Sequence, residues 1–213
     1  MGRTGDYTIS VVIVTHDQGE TLERNLPQFL TVAGAAHAEV IVVDDSSTDN
    51  TPDVLKLLKE ENPHLYTTFL PKSVPNNSRL RLALNIGVKA AISQRVVFAD
   101  IHRPPLSTEW LTGLANGEVT AVYCRLKHGA PEVTHQQFDD LDEATNFMLK
   151  AECYGGGGHK GRWFRMRRGM YDAIAVNKDT IFKAIMLFDQ RLGMSKRMSL
   201  GIAVFFKNMF MFA

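Results

Sequence analysis

Three short stretches, ISVVIV at 9–14, VIVV at 40–43 and VVFA at 96–99, are apolar at almost every position and rich in β-branched residues. A strand with one face in water alternates apolar and polar side chains. An unbroken apolar run predicts a strand buried on both faces, the habit of parallel sheets covered by helices. Each run stops at a polar cluster: Thr15-His16-Asp17, Asp44-Asp45-Ser46 and Asp100-Ile101-His102. Strand alternation puts Asp100 and His102 on one side, pointing together beyond the strand end; in the plainer reading Asp100 caps a turn and His102 is a surface residue.

Helical patterns fill the gaps. Asp17 and Glu20 have the spacing of a helix-start capping pair, and Leu22, Leu26 and Phe29 share one face, with Pro27 expected to bend the helix. Thr51-Pro52 reads as an N-cap followed by proline at the first helical position of a helix over 52–61. YTTFLPK at 66–72 reads as a strand, and 78–94 as a helix capped by Ser78. Strand–helix alternation implies right-handed crossovers and a mostly parallel sheet with helices on both faces, whose ligands bind at the carboxyl ends of the strands. All three polar clusters fall at such ends.

The second half is less regular. It reads as a helix from about Ser107, a strand at 119–126, an acidic helix from Phe138 to about Lys150, a strand at 170–177 and a helix at 178–188. YGGGGHKGRWFRMRRG at 154–169 joins four consecutive glycines to a cationic, aromatic stretch and reads as a mobile loop: either a lid over an anion or a plain surface segment.

Composition narrows the function classes. A chain of 213 residues, 45% hydrophobic, is expected to be one domain. Twenty-four Lys and Arg against 23 Asp and Glu leave a formal net charge of +1, so no global field favours nucleic acid. Cys124 and Cys153 lie far apart without metal-finger spacing, which suits a reducing compartment. The polar N-terminus, followed by an apolar run too short for a signal peptide, predicts a cytoplasmic protein.

The order and spacing of SVVIVTHDQGETLERNL, EVIVVDDSSTDNTPDVL and LALNIGVKAAISQRVVFADIH resemble the family 2 glycosyltransferases over roughly the first half of the chain. The resemblance implies the GT-A fold, an α/β/α nucleotide-binding sandwich. It also implies transfer of a sugar from a nucleotide-diphosphate donor to a saccharide or lipid-linked acceptor, with inversion. The positions it assigns to the donor are Thr15, His16, Asp17, Asp45, Ser46, Arg79 and Asp100, with His16-Asp17 standing where members usually carry Tyr-Asn. Thr15 and Asp17 would line the base pocket. Asp45 would accept hydrogen bonds from a base N–H, which favours uracil or guanine. Ser47, Thr48 and Asp49 are expected to satisfy helix-start amides. Arg79 or Arg81 would neutralise phosphate, or else both are solvated. Asn85 and Gly87 would pack against the first strands.

Family members hold a divalent cation with Asp-x-Asp at the strand end matching 95–100; here the second Asp is His102. Mn²⁺ or Mg²⁺ is the expected cofactor at Asp100 and His102, and an imidazole suits Mn²⁺ better. Arg103 could instead supply the charge. Where members carry an acidic pair with the general base, Lys196 and Arg197 stand, leaving Asp189 and Asp172 as weak base candidates and a nucleotide-sugar-binding pseudoenzyme as the alternative. A receiver-type signalling domain is disfavoured, because no lysine stands at a suitable later strand end.

The expected organisation is one domain over 1–213, with a nucleotide-binding half at 1–105, an acceptor half at 106–195 and an apolar segment at 196–213. That segment is too short to span a bilayer. With Lys196, Arg197 and Lys207 it reads as a helix lying either on the core or on the inner membrane face.

Overall fold

The computed structural model describes residues 5–72, 79–115, 119–127, 130–139 and 173–181. In chain order the elements are β1 (Ser10–Thr15), α1 (Gly19–Ala35), β2 (Glu39–Asp44), α2 (Thr51–Glu61), β3 (Leu65–Phe69), α3 (Arg79–Ala90), β4 (Arg95–Ala99), α4 (Glu109–Thr112), β5 (Val119–Lys127), β6 (Ala130–Phe138) and β7 (Ala173–Asn177). One sheet runs in the order β3-β2-β1-β4-β7-β5-β6. The ladders β1–β2, β1–β4 and β2–β3 are parallel, whereas β7 lies antiparallel between β4 and β5. Strands β1 to β5 therefore point one way and only β6 and β7 reverse, which is the mostly parallel α/β sandwich expected.

The unbroken apolar runs are explained by the two layers they serve. Val11 and Ile13 of β1, with Val40 and Val42 of β2, pack against Leu22, Leu26 and Phe29 of α1 and Val54 and Leu55 of α2. Their alternates Val12, Ile41 and Val43 pack against Ala83, Leu84 and Val88 of α3. Gly87 of α3 sits where an added Cβ would collide with the Val12 side chain, so its lack of a side chain sets how closely α3 approaches the sheet. That agrees with its expected packing role. Asn85, in the same helix, has a buried carbonyl oxygen with no partner among the described residues.

Several local expectations change. Pro27 lies inside α1, a helix of 17 residues from Gly19 to Ala35. Pro27 is exposed, so water can satisfy the carbonyl that its missing N–H leaves free. The N-cap of α2 is Asn50 rather than Thr51, and Thr51 is its first helical residue. Phe138, expected to open an acidic helix, instead closes β6, the outer strand of a hairpin with β5. Residues 178–181 are helical, as expected of the start of the 178–188 helix. Ser78, the glycine-rich loop, Asp172, Asp189 and the terminal segment lie outside the described residues, as does the rest of the acidic helix beyond 139.

The amino ends of the strands are tied by a buried polar network. Glu39, fully buried at the start of β2, accepts from Ser10 Oγ at 2.5 Å and from the Ile92 N–H at 2.7 Å. Ser10 Oγ in turn accepts from the Ser93 N–H at 3.1 Å. Arg95 Nε donates to the Leu114 carbonyl at 2.9 Å and its guanidinium reaches Thr120 Oγ1 at 3.1 Å, carrying the network to β5. A buried donor left without its acceptor costs about 1–3 kcal/mol. Glu39→Leu strands two donors at once and is expected to cost about 2–4 kcal/mol in urea unfolding. Glu39→Gln keeps an acceptor oxygen and is expected to lose less than half of that. Equal losses in the two variants would mean that shape, not hydrogen bonding, sets the cost.

Candidate functional site

At the opposite rim, the loops after β1 and β2 are stitched together by their own side chains. Asp17 adopts a positive φ of 49°. Its carboxylate does not cap α1, contrary to the capping-pair expectation. Asp17 Oδ1 instead accepts from the Thr48 N–H at 2.6 Å, while the Asp17 N–H donates to Ser47 Oγ at 2.9 Å. Asp49 Oδ2 reaches back to accept the Gly19 N–H at 2.9 Å, and Thr51 Oγ1 accepts the Gln18 N–H at 3.1 Å. The chain entering α1 is thus capped from beyond β2, and Asp49 also serves the helix it precedes, as expected, its Oδ1 accepting the Thr51 N–H at 3.0 Å. Asp44 Oδ1 closes its own turn by accepting the Ser47 N–H at 3.0 Å.

These bonds favour the ionised acids. The Thr48 amide, aided by the Asp49 amide and by His16, holds the Asp17 carboxyl below its ordinary value of 3.8. Desolvation acts to raise Asp49, but hydrogen bonds from Thr51 and Gly19 outweigh it, and that carboxyl also lies below 3.8.

Next to this stitching, Asp45 and Arg79 form a largely buried ion pair at 2.5 Å, with side-chain exposures of 16% and 13%. Arg79 also donates to Ser46 Oγ at 2.9 Å and to the Pro71 carbonyl at 3.2 Å, so it joins the ends of β2 and β3 to the start of α3. Ser46 has a φ of 59°, and its hydroxyl donates to the Leu70 carbonyl. The sequence offered Asp45 and Arg79 as separate ligands; the fold makes them one unit, in which Arg79 occupies Asp45 Oδ1 and no hydrogen bond to Oδ2 is found among the described residues. The alternative in which Arg79 is merely solvated does not hold. Nothing is described of the Arg81 side chain.

Thr15 is 1% exposed and donates to Gln18 Oε1 at 3.0 Å. His16 is exposed, with its Nδ1 2.8 Å from the Asp45 carbonyl oxygen. Strand β4 stops at Ala99, so Asp100 and His102 are not related by strand alternation as expected. The Arg103 N–H closes a turn on the Asp100 carbonyl at 3.0 Å, and the Pro104-Pro105 pair cannot donate to a ladder. Within that turn, Asp100 Oδ1 accepts the His102 N–H at 2.9 Å and Oδ2 lies 3.9 Å from Arg103 Nε. His102 Nε2 is 2.9 Å from Gln18 Nε2, a link across the rim that the sequence reading missed. Among the described residues no group of three or more His, Cys, Asp or Glu is arranged to hold a metal.

A profile of the family described as glycosyl transferase family 2 matches residues 10–174, which include every element from β1 to β6. The chain belongs to that family. Among curated relatives, YibD, an uncharacterized glycosyltransferase of Escherichia coli (strain K12), is 28% identical over 92 residues, or 43% of this chain and 25% of YibD. Among solved structures, a mannosyltransferase from Pyrobaculum calidifontis in complex with GDP-Man and Mn²⁺ aligns with a TM-score of 0.50 at 19% identity, over 90% of this chain and 50% of that one. Glucosyl-3-phosphoglycerate synthase from Mycobacterium tuberculosis, in complex with phosphoglyceric acid, aligns with a TM-score of 0.49 at 20% identity, covering 92% of this chain and 68% of that one. The chain thus spans a quarter of YibD and half of the mannosyltransferase. The likeness to the mannosyltransferase agrees with the GT-A fold expected.

The stitched loops carry a pH signature. Both acids are held below 3.8, so their contribution to stability is complete above that value and is lost as pH falls through their lowered folded values. The thermal midpoint of the wild type is expected to fall more steeply below pH 3.8 than that of an Asp17→Asn, Asp49→Asn double variant. Parallel curves from circular-dichroism melts would show that the two carboxylates do not contribute.

Proposed function

We propose that this chain is the donor-binding portion of an enzyme that transfers a sugar from a nucleotide diphosphate, UDP before GDP, to an acceptor hydroxyl. The observation that carries the reading is the Asp45–Arg79 pair at the carboxyl ends of β2 and β3 in a family 2 chain. With Oδ1 held by Arg79, Asp45 keeps Oδ2 to accept an imide or guanine N–H. Arg79 offsets the cost of holding that carboxylate out of water. A pyrimidine imide presents one N–H between two carbonyls and fits a single free carboxylate oxygen, whereas a guanine edge presents two donors and needs both. That favours UDP. The mannosyltransferase bound to GDP-Man keeps GDP as the second candidate.

The donor diphosphate would lie toward Asp100 and His102. A carboxylate and an imidazole two residues apart fit a cation held by few protein ligands and completed by phosphate oxygens. When bound, such a cation neutralises charge developing on the leaving nucleotide. Mn²⁺ suits this donor set better than Mg²⁺. Arg103, near Asp100 Oδ2, stands in reserve as the charge source if no cation binds. Asp172 and Asp189 remain the base candidates. Lys196 and Arg197, in the place of the family's acidic pair, keep a binding-only pseudoenzyme as the alternative. Release of nucleotide from donor in the presence of acceptor separates the two. The acceptor is proposed to be a saccharide or lipid-linked saccharide, met at the cytoplasmic face of a membrane and attacked with inversion. No helix among the described residues is long and apolar enough to cross a membrane.

A thermal-shift panel of UDP, GDP, CDP and TDP tests the donor, because a ligand bound only by the native state raises the midpoint by mass action. UDP is expected to give the largest shift and Asp45→Ala to abolish it; an unchanged shift in that variant removes the base-pocket assignment. Mn²⁺ is expected to enlarge the UDP shift, and His102→Ala to cut the enlargement by at least half. If a chelator leaves UDP affinity unchanged, Arg103 takes the cation's role.

A further inference from the structure

Between α2 and β3, the outermost strand on its side of the sheet, lies a cavity of about 530 Å³, a size that takes a small molecule. Helix α2 lines it with Lys56 and Lys59, and the segment leaving β3 adds Lys72. Thr67 stands opposite Val42 and Phe69 opposite Asp44 in the β2–β3 ladder, and Val42 packs in the core under α1 and α2. Strand alternation therefore turns Thr67 and Phe69 toward α2 as well. The segment 70–72 gives the cavity a fixed wall, because the Leu70 carbonyl accepts from the Ser46 hydroxyl and the Pro71 carbonyl accepts from Arg79 at 3.2 Å.

The charges of α2 are sorted around its axis. With about 100° between successive residues, Lys56 and Lys59 fall on the side that faces the cavity, while Asp53 and Glu60 fall on the outer side. Glu60 follows Lys56 by four residues, the spacing at which Glu20 and Arg24 pair at 3.3 Å in α1, yet Lys56 and Glu60 form no ion pair. None of the three lysines has an acidic partner among the described residues. Lys59 Nζ lies 5.7 Å from the centre of the Tyr66 ring, a cation–π distance. Asp44, the acid that lines the cavity among the described residues, is 8% exposed and its Oδ1 already accepts from the Ser47 N–H and hydroxyl. Three lysines against one aspartate leave the cavity with a net charge of +2.

We propose that this cavity binds a small organic phosphate monoester, at a site separate from the one that would take the donor. A monoester carries a charge of about −2 at neutral pH and three acceptor oxygens, which matches the cavity's charge, whereas a carboxylate cancels only half of it. Lysine ammonium groups serve as point-charge partners for phosphate, and the Thr67 hydroxyl can donate a further hydrogen bond. A phosphate group alone fills a small part of the space. Pro52, Leu55 and Leu70 supply apolar wall for the rest of the ligand, and Phe69, left 68% exposed, offers a ring face on which a flat or ring-shaped body can stack. The site stands or falls independently of the donor reading, since none of the three lysines belongs to the Asp45–Arg79 pair or to the Asp100 turn.

The test titrates the full chain with phenyl phosphate, inorganic phosphate and benzyl alcohol in phosphate-free buffer, followed by ¹H–¹⁵N spectra. Phenyl phosphate is expected to give saturable shifts at the amides of Lys56, Lys59, Thr67 and Lys72. Inorganic phosphate should shift the same amides with roughly fivefold weaker affinity, for want of the apolar body, and benzyl alcohol should shift none of them at the same concentrations. A Lys56→Gln, Lys59→Gln double variant keeps most of the side-chain length without the charge and should bind phenyl phosphate roughly tenfold more weakly. Lys72→Gln, outside both helix and strand, should weaken binding in the same direction, whereas Lys89→Gln, at an exposed position of α3, should leave it unchanged. Circular-dichroism melts confirm that the variants fold. Failure to saturate, equal affinity for phenyl phosphate and either of the other two probes, an unchanged affinity in the folded lysine variants, an equal loss in Lys89→Gln, or displacement of phenyl phosphate by UDP would overturn the proposal.

Discussion

The Asp17 carboxylate, reaching from the end of β1 to the Thr48 amide, is the contact on which the front rim depends. It makes two loops 30 residues apart behave as one, because the return bonds from Ser47, Asp49 and Thr51 cap the chain entering α1. The start of α1 is thus completed from the loop that follows β2, while the start of α2 is served from its own loop, where Asp49 Oδ1 accepts the Thr51 N–H. The left-handed backbone of Asp17 and Ser46 is tolerated because several bonds over-determine it. Asp45 and Arg79 then occupy a fixed place beside this unit rather than on a free loop.

The two rims divide the work. At the amino ends of the strands the polar atoms of Glu39, Ser10, Ser93 and Arg95 are buried and bonded to one another, giving rigidity with no surface left for a ligand. At the carboxyl ends, Asp17, Asp45, Asp49, Asp100, His16 and His102 are partly or fully exposed, and several of their atoms keep bonding capacity. Binding sites are drawn from such less saturated regions, held by a scaffold whose stability is stored elsewhere.

Much of the fold was legible because period and punctuation agree: Val11 to Ile13 and Val40 to Val43 must be buried on both faces, and polar residues stop each run. The same punctuation puts Thr15, Asp17, Asp45 and Asp100 at or just beyond strand ends. What was not legible is long-range. Nothing local to Asp17 says that its partner is Thr48, nothing local to Arg79 says that it neutralises Asp45, and Gln18 has no motif at all. Strand β6 was missed because Phe138 at the start of an acidic stretch mimics a helix boundary, while its ladder to β5 fixes it as a strand. The Asp100–His102 pair was attributed to strand alternation when a turn closed by Arg103 places the two residues.

The insertion of β7 between β4 and β5 has a consequence for how the chain is assembled. Strands β1 to β4 can find one another through short crossovers as they leave the ribosome, but Arg95 of β4 finds its other neighbour only at Asn177, and Val119 of β5 at Val176. Until those residues are synthesised, β4 is an unpaired edge of an apolar sheet, and the β5–β6 hairpin has nothing to dock on. Long loop closures of this kind slow folding and expose edges that favour self-association. A nascent chain that stalls before residue 173 carries all the described front-rim residues yet is the form most prone to aggregate, so the interval between β4 and β7 is where this protein most needs chaperone cover.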